Sequence, residues 1–486
     1  MAERDPLSEI DKTDALAADP QLADAIGEEA ARETSLDEDD RMKPEFVTAV
    51  LDAVDAHDKD AVRDLVEPLH PADVADLFEL TPPEERAALA ASMGDLMSGE
   101  VLSELNDYVR EQLLDALEPE QVAEIASELD TDDAVAIIED LEAEDQQAVL
   151  DALDPEDRAA IESALSYPEE SAGRLMQRDL VAVPAHMTVG QVIDYLRDNR
   201  DDLTTDFWEI FIVDEAHKPI GTCQLSWILT CPRGVTIADV MKREQTLIPV
   251  DMDQEELALR FQKYALISAA VVDASGRLVG MITVDDVVHI IQEEAGEDIL
   301  RLSGAGEGDI NQPILMTVRT RLTWLTINLG TAMIAASVVG LFEGVIARFA
   351  LLAALMGIVS GMGGNAGTQT LAVVVRALAT NQLTSSNTVR MILREFRIAA
   401  TNGASLGTLI GIGSYFLYGR ADLSVVFGLA ILINNMVAGL SGVLIPVLLD
   451  RRNIDPAISS AVFVTMMTDC MGFFSFLGLA TLFNLH

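Results

Sequence analysis

The sequence has little cysteine and little positive charge, and each shortage closes off a class of function. Cys223, Cys231 and Cys470 are the only cysteines in 486 residues, with no pair at C-x-x-C spacing. They read as free thiols, and no zinc site is expected from them. Lys and Arg number 32 against 81 Asp and Glu, for a formal net charge of −49. Such a surface repels phosphates, which argues against nucleic acid as a partner. The opening MAERDPLSEIDKTDALAADP lacks an apolar core, so no cleavable signal is expected and the N-terminus is expected in the cytoplasm. No P-loop, hydrolase triad or zinc motif is found, and the chain reads as a non-enzyme.

What acidity there is lies at one end. Beyond residue 318 the only acidic residues are Glu343, Glu395, Asp422, Asp450, Asp455 and Asp469. The chain therefore has two chemically different halves, an acidic soluble part and a hydrophobic membrane part. The acidic half suits multivalent cations, and equally a high-salt cytoplasm in which excess carboxylates keep proteins soluble. The hydrophobic half, 319–486, shows five apolar runs, roughly 322–346, 349–378, 393–418, 422–449 and 456–484, each long enough to cross a bilayer. Arg319, Arg321, Arg376, Arg390, Arg394, Arg397, Arg451 and Arg452 fall on one side of these spans, Arg348 and Arg420 on the other. The first side is expected to be cytoplasmic, which places the C-terminus outside.

Asp469 is the one charge inside the fifth run. Asp455-Pro456 reads as a helix start, an N-cap carboxylate followed by proline. That places Asp469 roughly 20 Å along the helix, near mid-bilayer, where an ionised carboxylate is expensive and defaults to an ion path. A neutral Asp packed between helices is the bland alternative. In the second run Gly361, Gly363, Gly364 and Gly367 surround Asn365, with Thr368 and Gln369 following. Glycine at this density allows either close helix packing or a local break that exposes carbonyls to a water-filled path. Oxygen ligands of these kinds suit a hard cation or its water shell. Asn434 and Asn435 add a polar patch to the fourth run.

The soluble half begins with a polar, aperiodic stretch, 1–42, expected to be disordered. Over 43–166 helical units repeat: EPEQVAEIASEL, DTDDAVAIIEDL, EAEDQQAVLDAL and DPEDRAAIESAL follow one another from Glu118. Each is a short capped helix, unstable alone, and stacking predicts a helical solenoid. Over 167–285, two similar halves read helix, strand, turn, strand, helix, which resembles a tandem pair of CBS domains. In CBS domains that bind adenine nucleotides, a Ser or Thr and an Asp three residues on often hold the ribose. Thr283 and Asp286 match that pattern; Gln224 and Trp227 in the first half do not. A connector over 286–318 carries Glu293, Glu294, Glu297 and Asp298 at i,i+4 spacings. Like charges so placed repel, and a divalent cation would relieve them; the bland reading is a solvated acidic face.

Taken in order, the helical N-domain, YPEESAGRLM (167–176), the paired CBS domains, the acidic connector, GGNAGTQ (363–369), IDPA (454–457) and TDCMGF (468–473) resemble the MgtE family of magnesium channels. The resemblance covers 43–486. It implies a homodimer in the cell membrane, with a Mg2+ pathway on the two-fold axis. Asp469 would be the pore carboxylate and Asp455 the aspartate at the cytoplasmic mouth. Gly364, Asn365, Gly367 and Thr368 would line the pore; Thr368 and Ala461 stand where some members carry asparagine. It also implies that cytosolic Mg2+ closes the channel by binding Asp253, Glu255, Asp286, Glu294, Glu297 and Asp298; it does not place the N-domain partners, for which Asp130, Asp132 and Asp133 are candidates. His289 departs from an aspartate found in some members. A cation-coupled secondary transporter and a non-transporting CBS sensor are the alternatives.

Overall fold

The computed structural model describes residues 34–200, 203, 207–303, 310–452, 454–457 and 460–485. The chain divides into two compact units at Val288 and His289.

The tail expected over 1–42 lies outside the described residues as far as residue 33. Residues 34–42 are folded. Leu36 and Met42 pair in an isolated bridge and are buried in the N-terminal core. Their burial comes from membership of that shared core, which the local composition does not show.

Ten α-helices follow among the described residues of the N-domain: α1 (Pro44–Asp55), α2 (Lys59–Val66), α3 (Pro71–Leu80), α4 (Pro83–Met93), α5 (Gly99–Ser103), α6 (Asp107–Leu114), α7 (Pro119–Ser127), α8 (Thr131–Glu139), α9 (Ala143–Ala152) and α10 (Pro155–Leu165). Proline occupies the first turn of α1, α3, α4, α7 and α10, where its missing N–H costs nothing. Glu118 and Gln121 close a capping box on α7. Helices too short to stand alone pack on the next but one: α7 on α9 and α8 on α10, the stacking expected of a solenoid. Leu77, Phe78, Leu89, Leu102, Ile137 and Ile138 are fully buried between them. Arg110, also buried, ties α6 to α8 through Asp140 at 2.7 Å.

Two small sheets follow with the same topology. In the first, β1 (Ala182–Pro184), α11 (Val189–Asp198), β2 (Glu209–Val213), β3 (Pro219–Gln224), α12 (Leu225–Thr230) and α13 (Ile237–Val240) form one CBS repeat. In the second, β4 (Leu247–Pro249), α14 (Gln254–Tyr264), β5 (Ser268–Val272), β6 (Leu278–Thr283) and α15 (Val284–Ser303) form the other. The first strand pairs parallel with the second, and the second antiparallel with the third. Register shifts fall at Ile212/Val213 and at Val271/Val272, the same place in each repeat. The two hairpin turns also match: His217 (φ 58°) and Gly276 (φ 79°) occupy the same left-handed turn position. Glycine takes that conformation freely and histidine at a small cost.

The second unit is helical: α16 (Ile314–Gly340), α17 (Glu343–Arg348), α18 (Leu351–Ala379), α19 (Thr388–Tyr418), α20 (Ala421–Asp450) and α21 (Ser460–Leu482). Of these, α16, α18, α20 and α21 are long and apolar enough to cross a membrane. The fifth long helix, α19, has 31 residues and coincides with the expected third span. Arg390, Arg394, Glu395 and Arg397 in its first turns, and Thr401, Asn402, Ser405 and Thr408 beyond, dilute its apolar character. It packs most extensively on α20, and their backbones touch where glycines meet. A Cβ at Gly407 would lie 2.5 Å from the Gly428 carbonyl oxygen. Small residues bring helices this close where lipid supplies no hydrophobic drive. The chain is a multidomain membrane protein with a helical N-domain, a tandem CBS pair and an all-α membrane domain.

Two helix boundaries differ from expectation. The first span ends at Gly340 and is followed by the separate short helix α17, where one run over 322–346 was expected. The described part of α21 begins at Ser460 and not at Pro456. The glycine-rich stretch of α18 is one unbroken helix, so no local break frees its carbonyls; Gly363 and Gly367 are pressed on neighbouring side chains, while a Cβ at Gly361 or Gly364 would meet nothing within 4 Å.

Candidate functional site

Asp469 lies in the third turn of α21, about 14 Å from Ser460 along the axis. It is neither fully buried nor fully exposed. The Ser360 hydroxyl on α18 donates a hydrogen bond to its Oδ1. A hydrogen bond to a carboxylate contributes about 1.5–3 kcal/mol, so Ser360 fixes one oxygen of a carboxylate that lies within an apolar bundle. Ser360 was not singled out from the sequence. The signal was available: Ser360, Gly364 and Thr368 follow one another at i,i+4 on α18.

Asn434 of α20 sits behind this pair and is fully buried. Its Nδ2 donates to the Val359 carbonyl oxygen at 2.8 Å, and its Oδ1 is buried without a partner. Gly363 and Gly472 make room for it: a Cβ on Gly363 would fall 2.0 Å from Asn434 Nδ2, and one on Gly472 2.8 Å. Asn434 thus locks α18, α20 and α21 next to Ser360 and Asp469. Asn435 has a different task, donating within its own helix to the Ile431 oxygen at 2.9 Å.

The expected lining residues separate into two groups. Asn365 and Thr368 are exposed, and a Cβ at Gly364 would meet nothing within 4 Å. Gly367 is buried, and a Cβ there would press on Val464 Cγ1 at 2.6 Å. It belongs to the α18–α21 seam and faces no open space. The Thr368 hydroxyl donates to the Gly364 and Asn365 oxygens of its own helix, at 3.2 and 3.1 Å.

At the other end of this site, Asp455 Oδ1 accepts the Ala457 N–H at 2.7 Å. Its Oδ2 accepts Arg301 Nη1 of α15 at 2.9 Å. Arg301 is also paired with Glu297, one turn earlier. Leu302 packs against Leu371, Val375, Ala457 and Val464. Arg301 was missed because an arginine inside an acidic connector reads as ordinary charge compensation. Glu294 is partly buried, and the side chain of Asp298 lies outside the described residues.

In the first unit the acidic residues converge on Asp286. It accepts the Thr283 hydroxyl at 2.6 Å and Gln177 Nε2 at 3.4 Å. Asp130, Asp132 and Asp133 stand within electrostatic reach. Burial, then Asp286, then Asp133 and Asp130 hold the Asp132 carboxyl well above its usual range, and its Oδ1 is buried without a partner. Burial first and Asp286 second push Asp133 up to about 6. Burial likewise raises Asp286, against the opposing Thr283 hydrogen bond. Uncompensated carboxylates so arranged disfavour their own charged forms. Asp253, by contrast, caps α14, its Oδ1 accepting the Glu255 N–H at 3.0 Å. Among the described residues no three His, Cys, Asp or Glu side chains are placed to hold a metal ion directly.

Comparison with known proteins accounts for the order of these parts. The family model described as a divalent cation transporter, MgtE, matches residues 356–479. That of the MgtE intracellular N domain matches 69–170, and that of the CBS domain matches 172–223 and 237–293. A magnesium transporter MgtE of Thermus thermophilus is 33% identical over 320 residues, covering 65% of this chain and 70% of that protein. One of Enterococcus faecalis is 31% identical over 319 residues, covering 66% and 70%. A crystal structure of the cytosolic domain of the Mg2+ channel MgtE in complex with ATP is 32% identical; it covers 50% of this chain and 99% of that one, with a TM-score of 0.46. The four repeats from Glu118, most of the CBS pair and the helices α18 to α21 fall largely within matched regions, with α16 and α17 outside them, and the chain belongs to the MgtE family.

Proposed function

We propose that the protein is a Mg2+ channel that admits magnesium to the cell and is closed by cytosolic Mg2+. The observation that carries the reading is Asp469, a carboxylate held inside an apolar helix bundle by Ser360. In two copies related by a two-fold axis, the free oxygens of Asp469 face each other. Mg2+ sheds water reluctantly, so the carboxylates act on the hydrated ion through its waters. Gly364, Asn365 and Thr368 line the path, Gly367 lets α21 approach α18, and Asp455 marks the cytoplasmic mouth. The N-terminus lies inside and the C-terminus outside.

Closure rests on the carboxylates around Asp286. Without a divalent ion, Asp130, Asp132, Asp133 and Asp286 repel and loosen the N-domain from the CBS pair. With Mg2+ they are bridged. Glu294, Glu297 and Asp298 carry the same effect into α15, and Asp253 offers the oxygen left over from capping. The reading is tested by Mg2+ flux into liposomes with and without a pH or Na+ gradient. Flux down the Mg2+ gradient alone supports the channel; flux that requires either second gradient supports a coupled transporter.

An adenine nucleotide at the second CBS repeat is a second reading, favoured by the 2.6 Å Thr283–Asp286 hydrogen bond. It places a hydroxyl and a carboxylate side by side, as ribose recognition requires. Equilibrium binding of ATP that Thr283→Val abolishes would support it, and unchanged binding would refute it.

A further inference from the structure

We propose that Arg301 is a charge-neutralising latch on the pore mouth: with α15 docked, its guanidinium occupies Asp455 and cancels the charge that draws cations in. The inference deepens the proposed closure by cytosolic Mg2+ and rests on it. Three contacts carry it, all within the second unit. Arg301 Nη1 meets Asp455 Oδ2 at 2.9 Å, a charge-assisted hydrogen bond at full strength for its length. Glu297, one helical turn before Arg301, holds the guanidinium from behind, in the favourable order of Glu ahead of Arg on a helix. Leu302, the next residue, is seated among Leu371, Val375, Ala457 and Val464, so the end of α15 is anchored by apolar packing on α18 and α21. The other oxygen of Asp455 is already committed to the Ala457 N–H. With Arg301 in place, each oxygen already accepts one hydrogen bond, and the guanidinium offsets the negative charge an approaching ion would meet.

The physical consequence is that closure acts by charge as well as by obstruction. A carboxylate attracts a divalent ion about twice as strongly as a monovalent one at equal distance. A directly bonded guanidinium removes most of that attraction. When the carboxylates of the connector lose Mg2+ and α15 leaves its seat, Arg301 is carried off with it and Asp455 regains its charge. Opening and recharging of the mouth are then one movement. The pair is partly exposed, as a latch that must exchange requires; a fully buried pair would be costly to break.

The test uses the full-length chain in liposomes, at saturating Mg2+ on the cytoplasmic face. Arg301→Gln keeps the length and hydrogen-bonding character and removes the charge. Residual flux should rise about fivefold, the scale of one partly exposed ion pair. Arg301→Lys should stay close to wild type. A second readout does not depend on transport: the thiol-labelling rate of Leu302→Cys in a chain whose native cysteines are replaced by alanine. Arg301→Gln should raise that rate several-fold and Asp455→Asn should raise it equally. Adding the first to the second should change nothing, because the two residues act as one pair. If wild type carries no Mg2+ flux, the proposed function fails and the labelling cycle still decides the latch. Wild-type closure and labelling in Arg301→Gln, or additive effects in the double variant, would overturn it.

Discussion

At the scale of the residue, the membrane site depends on small side chains that leave room for polar ones. Gly363→Ala should destabilise the bundle by about 1–3 kcal/mol, the usual cost of overpacking. Its methyl would fall 2.0 Å from Asn434 Nδ2 and break the bond to Val359. Thermal unfolding in detergent checks this, with Gly357→Ala as control, since a Cβ there meets nothing within 4 Å. Asp469 was legible in the sequence because an acidic residue in an apolar run stands out by itself. Ser360 and Arg301 were not, because a serine in a helix and an arginine among carboxylates become meaningful only through partners 109 and 154 residues away. Gly367 was legible as special but not in kind: the sequence cannot tell a glycine that faces a pore from one pressed on Val464.

At the scale of the element, periodicity and capping residues located most helices closely. The four repeats from Glu118 became α7 to α10, since proline and acidic caps set their starts locally. Where tertiary packing decides, local signals failed. Asp455-Pro456 looked like a helix start, yet Asp455 is held by Arg301 and the described helix begins later, at Ser460. The glycines of α18 were compatible with a break, and packing against α20 and α21 keeps that helix continuous. The acidic contact between α8 and the start of α15 yields a pH dependence. Asp133 has a folded pKa of about 6 against 3.8 for a free Asp. A raised carboxyl stabilises the fold most fully below the unfolded value, and that stability is lost as pH rises from about 4 through about 6. Asp132 and Asp286 shift in the same direction. In Mg2+-free buffer, the protection factors of α8 amides, taken relative to the intrinsic exchange rate at each pH, should therefore fall across that window, and Asp133→Asn should flatten the change. Added Mg2+ should restore protection at the upper end. Protection factors independent of pH and Mg2+ would show that the cluster is only a solvated face.

At the scale of the whole molecule, the uneven charge of the sequence already separated a soluble half from a membrane half. Helix count was harder to read, because α19 buries glycines against α20 while its arginines, Asn402 and several hydroxyl residues stay exposed and lower its apolar character. Single cysteines at 310 and 484, both exposed, on a chain cleared of native thiols, should label from opposite faces of sealed vesicles. Labelling from one face would contradict an odd number of crossings. The central claim is that Asp469 lines a Mg2+ pathway, and its most direct test is Mg2+ flux together with Mg2+/Na+ selectivity for Asp469→Asn, in a folded dimeric preparation. Asparagine keeps the shape and removes one charge per subunit, and Coulomb attraction scales with ion charge. The account predicts a loss of Mg2+ flux larger than any loss for Na+, so selectivity falls with rate. Wild-type flux and selectivity in Asp469→Asn would contradict it and leave Asp469 as a packing residue.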